Sequence, residues 1–419
     1  MKALLCIAWK SAWNRRFTLA LTVFSIALAT LLLLGVERIR TELRENFASA
    51  VSGTDLIVGA RTGGTQLLLY SVFRIGSATN NIGWKSVQAL EQHPGVAWVV
   101  PLSLGDSHRG FAVLATTPAY FERFRYGDRQ ALQVREGRPF SDLFDAVIGA
   151  DVAEQLGYRV GQRITLSHGS GELTPEHADK PFTVVGILAR TGTPVDRTVH
   201  IGLEAMEAIH LDWVGGAPVP GLKIPAEQVR KFDLAPKNVT AALVGLKNRA
   251  AVFAVQRWVQ AYPGEPLMAI LPGVALDELW QVIGVGEKAL LALSGLVGIV
   301  SLAGLVSVVM AGLNERRREL AVLRAVGAGA RHVLALLALE GAIVTELGVA
   351  LGALLAALGV AALGPWLQAR YGLALHLSAP TLNEGLLLAA LLAAGWLASL
   401  LPGVRAYRLS LADGLSPRT

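Results

Sequence analysis

Four long apolar stretches stand out from an otherwise mixed sequence. A hydrocarbon core about 30 Å thick is crossed by roughly 20 apolar residues of helix, and each stretch approaches or exceeds that length. The first two carry no charged residue, whereas the third contains Glu340 and Glu346. We therefore predict membrane-spanning helices at Phe17–Val36, Ala289–Leu313, Val333–Leu363 and 386–404.

The long segment between the first two spans, 37–288, has the patterning of a folded domain outside the membrane. Its ends, about 54–116 and 236–272, combine alternating strands with short amphipathic helices, which predicts a mixed α/β layer. The predicted strands are Thr54–Val58, Val96–Val100, Phe111–Ala115, Ala241–Leu246 and Leu267–Leu271, and the predicted helices are Trp84–Gln92 and Arg249–Gln260. The intervening part, about 117–235, has short strands between turn residues and is predicted to be a β-rich inserted subdomain.

The composition indicates a membrane protein. The chain of 419 residues is 53% hydrophobic and 17% charged, with a mean hydropathy of +0.46, whereas soluble domains carry about 25% charged residues. The net charge of +6 could suit a nucleic-acid partner, but many of the basic residues flank the apolar stretches. This distribution predicts a lipid membrane and no nucleic acid as the partner.

Lysine and arginine in the short flanking segments predict the orientation, because the richer side is cytoplasmic. The segments 1–16 and 314–332 and the tail after Leu401 hold twelve of them, whereas the loop 364–385 holds only Arg370. Both termini are therefore predicted to be cytoplasmic and the large domain periplasmic, in a bacterial inner membrane. The alternative for the first span is a signal peptide, but the cleavage-like triplet Ala48–Ala50 lies twelve residues beyond the apolar run.

The sequence shows no catalytic or metal-binding motif. It lacks a Gly-x-x-x-x-Gly-Lys-Ser/Thr phosphate loop, a His-Glu-x-x-His pair and a Gly-x-Ser-x-Gly turn, and its single cysteine, Cys6, excludes an intrachain disulfide. The polar loop His168–Lys180 holds two histidines and three acids, His168, His177, Glu172, Glu176 and Asp179. A solvated, mobile loop is favoured there over a weak metal site. We predict no catalytic, cofactor-binding or metal-binding residues in this chain.

Two further groups of residues are candidate sites in or near the membrane. Charge inside a span is expensive and often functional, so Glu340 and Glu346 could form an interhelical bond, contact a substrate or carry a proton. Residues 2–14 combine apolar and basic positions as an interfacial helix does, although a soluble core helix is the alternative. The predicted anchors in the headgroup layer are Trp9, Trp13, Arg15 and Arg16.

Four segments of the outer domain resemble a known family in order and spacing. They are Arg135–Phe140 (REGRPF), Ala146–Gly157 (AVIGADVAEQLG), Val160–Ile164 (VGQRI) and Phe182–Leu188 (FTVVGIL). Together they resemble the periplasmic core of MacB-type permeases. The segment from Asp55 to Ile82 departs from the macrolide exporter of that family, which indicates a related subgroup and leaves the substrate open.

The C-terminal part resembles the FtsX-like permeases. Leu313–Ala328 (LNERRRELAVLRAVGA) is similar to their hallmark cytoplasmic segment, and Ala8–Arg16 looks like their amphipathic elbow helix. The resemblance implies that the cytoplasmic segment is a coupling helix that docks on an ATPase, with simple positive-inside anchoring as the alternative. The docking residues implied are Glu315, Arg316, Arg317, Arg318, Glu319, Leu320, Leu323 and Arg324.

The resemblance implies a MacB/FtsX-type (type VII, mechanotransmission) ABC transporter permease subunit. Such a chain is no enzyme itself; two copies of a separate cytoplasmic ATPase would bind ATP and Mg²⁺, and a second permease copy or a paralogue would complete the complex. A periplasmic adaptor, lipoprotein or substrate-binding protein is a further expected partner. The alternatives are an FtsX-like regulator that activates a periplasmic hydrolase without transport, and a membrane-anchored enzyme.

The resulting domain order has four spans arranged one plus three. It consists of an elbow helix (1–16), the first span (17–36), the MacB-like core domain (37–288), the second span (289–313), the coupling segment (314–332), the third span (333–363), a short outer loop (364–385), the fourth span (386–404) and a cytoplasmic tail (405–419).

Overall fold

The computed structural model describes residues 16–50, 52–127, 129–169, 175–214, 217–315, 327–371, 375 and 378–408. These residues divide into two compact units. The helical unit contains the described residues up to Glu42, Gly284–Trp366 and those from Leu375 onward. The sheet unit contains Leu43–Ile283 and a short stretch after Leu367. Along the chain, the sheet unit is therefore inserted between the first two long helices.

Ten α-helices lie within the described residues. They are Arg16–Ser49 (α1), Gly64–Ser71 (α2), Trp84–Glu91 (α3), Ala119–Arg123 (α4), Ala150–Leu156 (α5), Leu203–His210 (α6), Val252–Gln260 (α7), Pro272–Glu315 (α8), Ala330–Tyr371 (α9) and Leu382–Arg408 (α10). Single 3-10 turns occur at Pro194–Arg197, Val229–Lys231 and Arg249–Ala251. Four helices, α1, α8, α9 and α10, are long and apolar enough to cross a membrane.

Large apolar side chains of these four helices point outward from the helical unit. Phe17 and Leu382 are each 81% exposed, and Val300 is 63% exposed. Water would penalise such a surface, whereas lipid tails match it, and helices satisfy their own backbone hydrogen bonds there. The outward apolar surface therefore agrees with the predicted membrane-spanning helices.

In the described part of the sheet unit, seventeen strands alternate with the helices. They are Leu56–Ala60 (β1), Ile82–Gly83 (β2), Val96–His108 (β3), Phe111–Thr116 (β4), Arg125–Tyr126 (β5), Gln130–Ala131 (β6), Val134–Gly137 (β7), Asp145–Ile148 (β8), Arg163–Ile164 (β9), Ser167–His168 (β10), Phe182–Leu188 (β11), Thr198–Gly202 (β12), Trp213–Val214 (β13), Ala217–Pro218 (β14), Asn238–Val239 (β15), Ala241–Leu246 (β16) and Leu267–Ile270 (β17).

One eleven-stranded sheet forms the centre of this unit. Its main order is β17-β1-β16-β3-β4-β12-β8-β11-β7, with β10 on β3 and β9 on β11. Most neighbours are antiparallel, but β12 pairs with β4, and β11 with β8, in parallel. The segment 117–235 is β-rich, as predicted, and five of its ten described strands (β7, β8, β9, β11 and β12) extend this sheet through the parallel pair of β4 and β12.

Apolar side chains cover both faces of the sheet. Successive residues of a strand point to opposite faces, and along β1 Leu56 and Val58 pack into one buried cluster while Ile57 packs into the other. Helices α3, α5, α6 and α7 add residues to the first cluster, and α2, α4 and the start of α8 add residues to the second. The strands are consequently apolar over most of their length, as in sheets buried on both faces.

Several elements are longer than the sequence analysis predicted. Strand β3 continues from Val96 to His108 instead of ending at Val100. Helix α8 begins at Pro272, well before the apolar run that starts at Ala289. Hydropathy marks where a helix can contact lipid, whereas backbone hydrogen bonding continues through the charged residues on either side.

Candidate functional site

The predicted ATPase-docking residues lie almost entirely outside the described residues. Glu315 is the last residue of α8. The others are outside the described part of the chain: Arg316, Arg317, Arg318, Glu319, Leu320, Leu323 and Arg324. Among the interfacial anchors, the same holds for Trp9, Trp13 and Arg15, whereas the Arg16 guanidinium lies 5.4 Å from the centre of the Phe17 ring. Docking and anchoring therefore stay predictions.

The two glutamates of α9 occupy different environments. Glu340 is only 8% exposed, whereas Glu346 is exposed. Six residues rotate a helix by about 600°, so these side chains point about 120° apart. Glu340 thus faces the interior of the helical unit, and Glu346 faces outward from the single chain.

Glycines bring α9 close to its neighbours. A Cβ added at Gly348 would lie 2.7 Å from the Cβ of Ile26, and one added at Gly352 would lie 2.5 Å from the carbonyl oxygen of Ala27. Gly395 of α10 likewise approaches Thr345 of α9. Small residues that permit such backbone approach are typical of packed membrane helices. Helix α9 is therefore held tightly against α1 and α10.

An Arg/Glu cluster, made of Glu37, Arg38, Arg40, Glu287 and Glu384, joins three helices of the helical unit. Arg38 of α1 lies 3.4 Å from Glu384 of α10. Arg40 of α1 pairs with Glu37 at 2.7 Å and lies 4.0 Å from Glu287 of α8. The side chains of Glu37 and Glu384 are almost fully buried, so removing one partner of such a pair would leave a costly unpaired charge.

Two smaller contacts reinforce this arrangement. The hydroxyls of Ser25 in α1 and Ser301 in α8 are 3.1 Å apart and hydrogen bonded. At the start of α10, the Thr381 amide donates to Glu384 Oε2 at 2.8 Å, and the Glu384 amide donates to Thr381 Oγ1 at 3.2 Å. This reciprocal pair is a capping box. Glu384 therefore caps the start of α10 and also pairs with Arg38 of α1.

A cleft of 710 Å³ opens in the sheet unit. The segment after α2, including Phe73, Arg74 and Ile75, forms one part of its lining, and residues of β3, β4 and the 192–197 turn form others. Arg74 has a φ of +59°, in a region that few non-glycine residues adopt. The segment that departs from the MacB pattern therefore lines this cleft.

The buried residues Tyr120 and His200 and the half-buried Arg74 form a polar group at this cleft. The rings of Tyr120 and His200 are 5.5 Å apart, and His200 Nδ1 lies 3.2 Å from the carbonyl oxygen of Val147. Burial, together with the charge of Arg74, lowers the pKa of His200 to about 3. Burial raises the pKa of Tyr120 to about 12. Both side chains are consequently neutral at pH 7.

A second polar group brings together Asp106, His168, His177 and His210. One donor atom from each lies within 4.8 Å of the others. We expected the loop His168–Lys180 to be solvated; four residues of its described end, 175–180, are exposed, but His177 and Lys180 are fully buried. Burial lowers the pKa of His177 to about 4. Its imidazole is therefore neutral at pH 7, the form that binds metals.

A buried ion pair fixes the segment that carries His177. Lys180 Nζ donates to both carboxylate oxygens of Asp212, at 2.9 and 3.0 Å, and to Asp179 at 3.0 Å. The pKa of Asp212 is lowered, because these hydrogen bonds and the Lys180 charge outweigh the effect of burial. Sequence reasoning treated Lys180 as the end of an exposed loop and missed this pair.

Two family descriptions match the chain. The description "MacB-like periplasmic core domain" matches residues 17–262, and "FtsX-like permease C-terminal" matches residues 291–411. The first match alone covers more than half of the chain. It includes α1 and most of the sheet unit, while the second covers most of the remaining long helices.

The chain is also similar to individual proteins. It is 25% identical over 230 residues to the "Lipoprotein-releasing system transmembrane protein LolC" of Neisseria meningitidis serogroup B, which covers 52% of this chain and 48% of that protein. The chain thus spans about half the length of this curated relative.

Two solved structures show a distant likeness. The periplasmic region of MacB from Actinobacillus actinomycetemcomitans has 11% identity and a TM-score of 0.34, covering 57% of this chain and 95% of that chain. The extracellular domain of the noncanonic ABC-type transporter YknZ from Gram-positive bacteria has 12% identity and a TM-score of 0.29, covering 52% of this chain and 99% of that chain.

Proposed function

Because this chain belongs to the MacB/FtsX-type ABC transporter permeases, we propose that it transmits ATP-driven movement from a separate cytoplasmic ATPase to the sheet unit in the periplasm. In this proposal, both termini are cytoplasmic and the chain itself is not catalytic. ATP and Mg²⁺ bind to the partner ATPase, which docks on the arginine-rich segment after α8. The work is done on a periplasmic substrate or partner.

The Arg/Glu cluster is the observation that carries this proposal. The sheet unit follows α1 and precedes α8 in the chain. Arg40 of α1 contacts Glu37 of the same helix and Glu287 of α8. Arg38 adds α10 through Glu384. Ion pairs with buried carboxylates resist separation, because an unpaired buried charge is costly. A displacement of α10 would therefore reach α1 through Arg38, and the contact between Arg40 and Glu287 links α1 to α8, the second helix that brackets the sheet unit.

A crosslinking experiment tests the transmission. Arg44 and Asp277, an exposed pair with atoms 3.6 Å apart, lie in α1 and α8 and would be replaced by cysteine in a Cys6→Ser background. The chain, reconstituted with its ATPase, would be treated with a short thiol crosslinker with and without ATP. We expect the crosslinking rate to change several-fold with ATP, because the two helices move relative to each other.

The matched control is the exposed pair Arg230 and Asp142, 2.7 Å apart and away from both helices. Cysteines there should crosslink at one rate in all nucleotide states. Equal rates for the Arg44/Asp277 pair with and without ATP, while the ATPase is bound and active, would refute transmission through α1 and α8.

Docking of the ATPase is tested by charge reversal. The triple change Arg316→Glu, Arg317→Glu and Arg318→Glu should abolish co-purification with the ATPase, because guanidinium groups pair with partner carboxylates. Arg405→Glu, an exposed residue of α10, is the control and should retain binding. Retained binding in the triple variant would contradict the proposed docking segment.

A second copy of the chain is the proposed partner within the membrane. Glu346 is exposed on α9 between Ile343 and Leu347, which are 46% and 56% exposed. An acidic side chain facing lipid is unfavourable, so a facing helix that pairs with it would be stabilised. Glu346→Leu should shift the chain toward monomer in nanodiscs, as counted by single-molecule photobleaching; an unchanged dimer fraction would exclude this interface.

Lipoprotein handling is the cargo class that the comparisons favour, since the LolC relative is described as part of a lipoprotein-releasing system. The rival is an FtsX-like regulator that transports nothing. Partners captured by the full chain in vesicles distinguish the two. A lipoprotein or an adaptor supports transport, whereas a cell-wall hydrolase activated by ATP supports regulation.

A further inference from the structure

Four side chains from separate parts of the sheet unit point to one place. Asp106 lies in β3, where the pairing with β4 shifts between Leu104 and Ser107. His168 of β10 stands opposite Asp106 in the sheet register. His210 is the last residue of α6, and His177 lies between β10 and β11. The four residues therefore lie on different elements, and no single loop or helix carries all of them.

The distances between their donor atoms suit a tetrahedral metal ion. His168 Nδ1 lies 3.1 Å from Asp106 Oδ1 and 3.0 Å from His210 Nε2. His210 Nε2 is 3.5 Å from Asp106 Oδ1, and His177 Nε2 is 3.6 Å from Asp106 Oδ2. Zinc bonds of about 2.0–2.1 Å in a tetrahedron place the ligands about 3.3 Å apart. These four separations lie on both sides of this value, and all the donor atoms lie within 4.8 Å of one another.

Two members of the group have buried polar atoms without a hydrogen-bond partner among the described residues. His177 is fully buried, and neither ring nitrogen is hydrogen bonded; the same is true of Asp106 Oδ2. Buried polar groups are nearly always satisfied, because leaving them unpaired is costly. A cation coordinated by His177 and Asp106 would pair Asp106 Oδ2 and one of the two His177 nitrogens.

The surroundings orient the ligands as those of metal sites do. His210 Nδ1 lies 2.8 Å from the Met206 carbonyl oxygen, and donation from Nδ1 leaves the Nε2 lone pair directed at the cluster. Metal-binding histidines usually donate their other ring N–H to such an acceptor. The Trp213 ring lies 4.3 Å from the His177 ring and 5.3 Å from the His168 ring, which limits access of water.

A network of hydrogen bonds alone is the competing explanation, and it accounts for fewer of these atoms. His168 Nδ1 faces both Asp106 and His210 but carries at most one proton to donate. His177 is also left with two unpaired nitrogens. The metal explanation uses all four residues.

We propose that Asp106, His168, His177 and His210 bind one divalent transition-metal ion, with Zn²⁺ the best fit. Three imidazole nitrogens and one carboxylate oxygen are a zinc ligand set, and four protein ligands complete a tetrahedron without an open position. The ion would fix β3, β10 and α6 to the segment that precedes β11. This site is independent of the ATPase-driven movement proposed above.

The test uses the full chain in detergent, stripped with EDTA and titrated with Zn²⁺ against a competing chelator. We expect one Zn²⁺ per chain. His177→Ala should weaken binding by on the order of 100-fold or more, since loss of outer-shell partners alone costs about 10–100-fold. His93→Ala, a change to a partly exposed histidine of the same unit, should leave the affinity unchanged.

Two measurements keep the test decisive if His177→Ala does not fold. The stripped wild-type chain loaded with Co²⁺ should show the intense visible absorption of a tetrahedral ion, and Asp106→Asn should weaken it while keeping the side-chain size. Less than stoichiometric zinc in the wild-type chain, a weak octahedral Co²⁺ spectrum, or equal zinc binding by the wild type and a chain with all four residues changed would each overturn the proposal.

Discussion

The sheet unit buries most of its large apolar side chains, whereas the helical unit buries one cluster and leaves many others on its outer surface. In the sheet unit, residues such as Leu68 and Phe182 are fully buried on the two faces of the sheet. In the helical unit, Leu347 is 56% exposed, and glycines and hydroxyls occupy many of the helix contacts. Water drives apolar groups inward in the first unit, whereas lipid exerts no such force in the second. The two units therefore depend on different interactions for stability.

The largest expected effect concerns the buried ion pair of the sheet unit. Lys180→Ala leaves Asp212 buried without its partner, which should lower the free energy of unfolding by about 3–5 kcal/mol. Urea unfolding of the sheet unit, followed by tryptophan fluorescence in detergent, measures this. Arg230→Ala breaks a pair of similar length whose members are 55% and 59% exposed, and it should cost less than about 1 kcal/mol. Equal costs would show that burial does not control these pairs.

Replacing leucine by alanine should affect the stability of the two units differently, and this is the next largest expected effect. Leu68→Ala in α2 removes a fully buried side chain, so the free energy of unfolding should fall by about 2–5 kcal/mol. Leu347→Ala in α9 removes an exposed one and should change the thermal stability of the helical unit little. A large loss for Leu347→Ala in the monomeric chain would contradict the outward position of that side chain on the helical unit.

Replacing glycine by alanine should lower the stability of the helical unit where two helices are in close contact. Gly352→Ala forces a Cβ to within 2.5 Å of the Ala27 carbonyl oxygen, and such overpacking should cost about 1–3 kcal/mol. Gly359→Ala in the same helix meets no atom within 4 Å and should be neutral or slightly stabilising. Thermal unfolding in detergent compares the two, and the reverse ranking would disprove the close approach of α9 and α1.

The smallest expected effect is a loss of stability of the sheet unit at acid pH. The pKa of His200 is about 3 in the folded chain and 6.5 ordinarily, so below pH 6.5 protons bind the unfolded state preferentially. The stability that His200 contributes is full above pH 6.5 and falls as the pH drops, by about 1 kcal/mol between pH 6.5 and 5.5. His200→Gln should remove this part of the pH dependence of urea unfolding; an unchanged slope would show that burial does not lower the pKa of His200.

Local patterns in the sequence predicted most of the fold. The apolar runs predicted all four membrane helices, because the fixed rise per helical residue sets how many apolar residues are needed to cross a bilayer. Alternation predicted the core of strands such as Ala241–Leu246, whose bounds the structure reproduces. The continuation of β3 to His108 was missed, since its second half depends on pairing with β4 and β10 instead of on local polarity.

The candidate sites were far less predictable, since their members are distant in sequence. Asp106 and His168 are separated by 62 positions, and His168 and His210 by 42. Arg38 and Glu384 are separated by 346 positions. No spacing motif links such residues, because the sheet and the helix packing bring them together. The predicted docking residues Arg316, Arg317 and Arg318 remain predictions from the family resemblance.

One carboxylate, that of Glu384, has two tasks at the start of α10. It accepts the Thr381 amide at 2.8 Å and lies 3.4 Å from the Arg38 guanidinium. A carboxylate has few lone-pair directions, so an arginine that moves away pulls the same group from the amide that it caps. Sideways motion of α1 would then loosen the first turn of α10. Faster hydrogen exchange of the amides in that turn would record the motion.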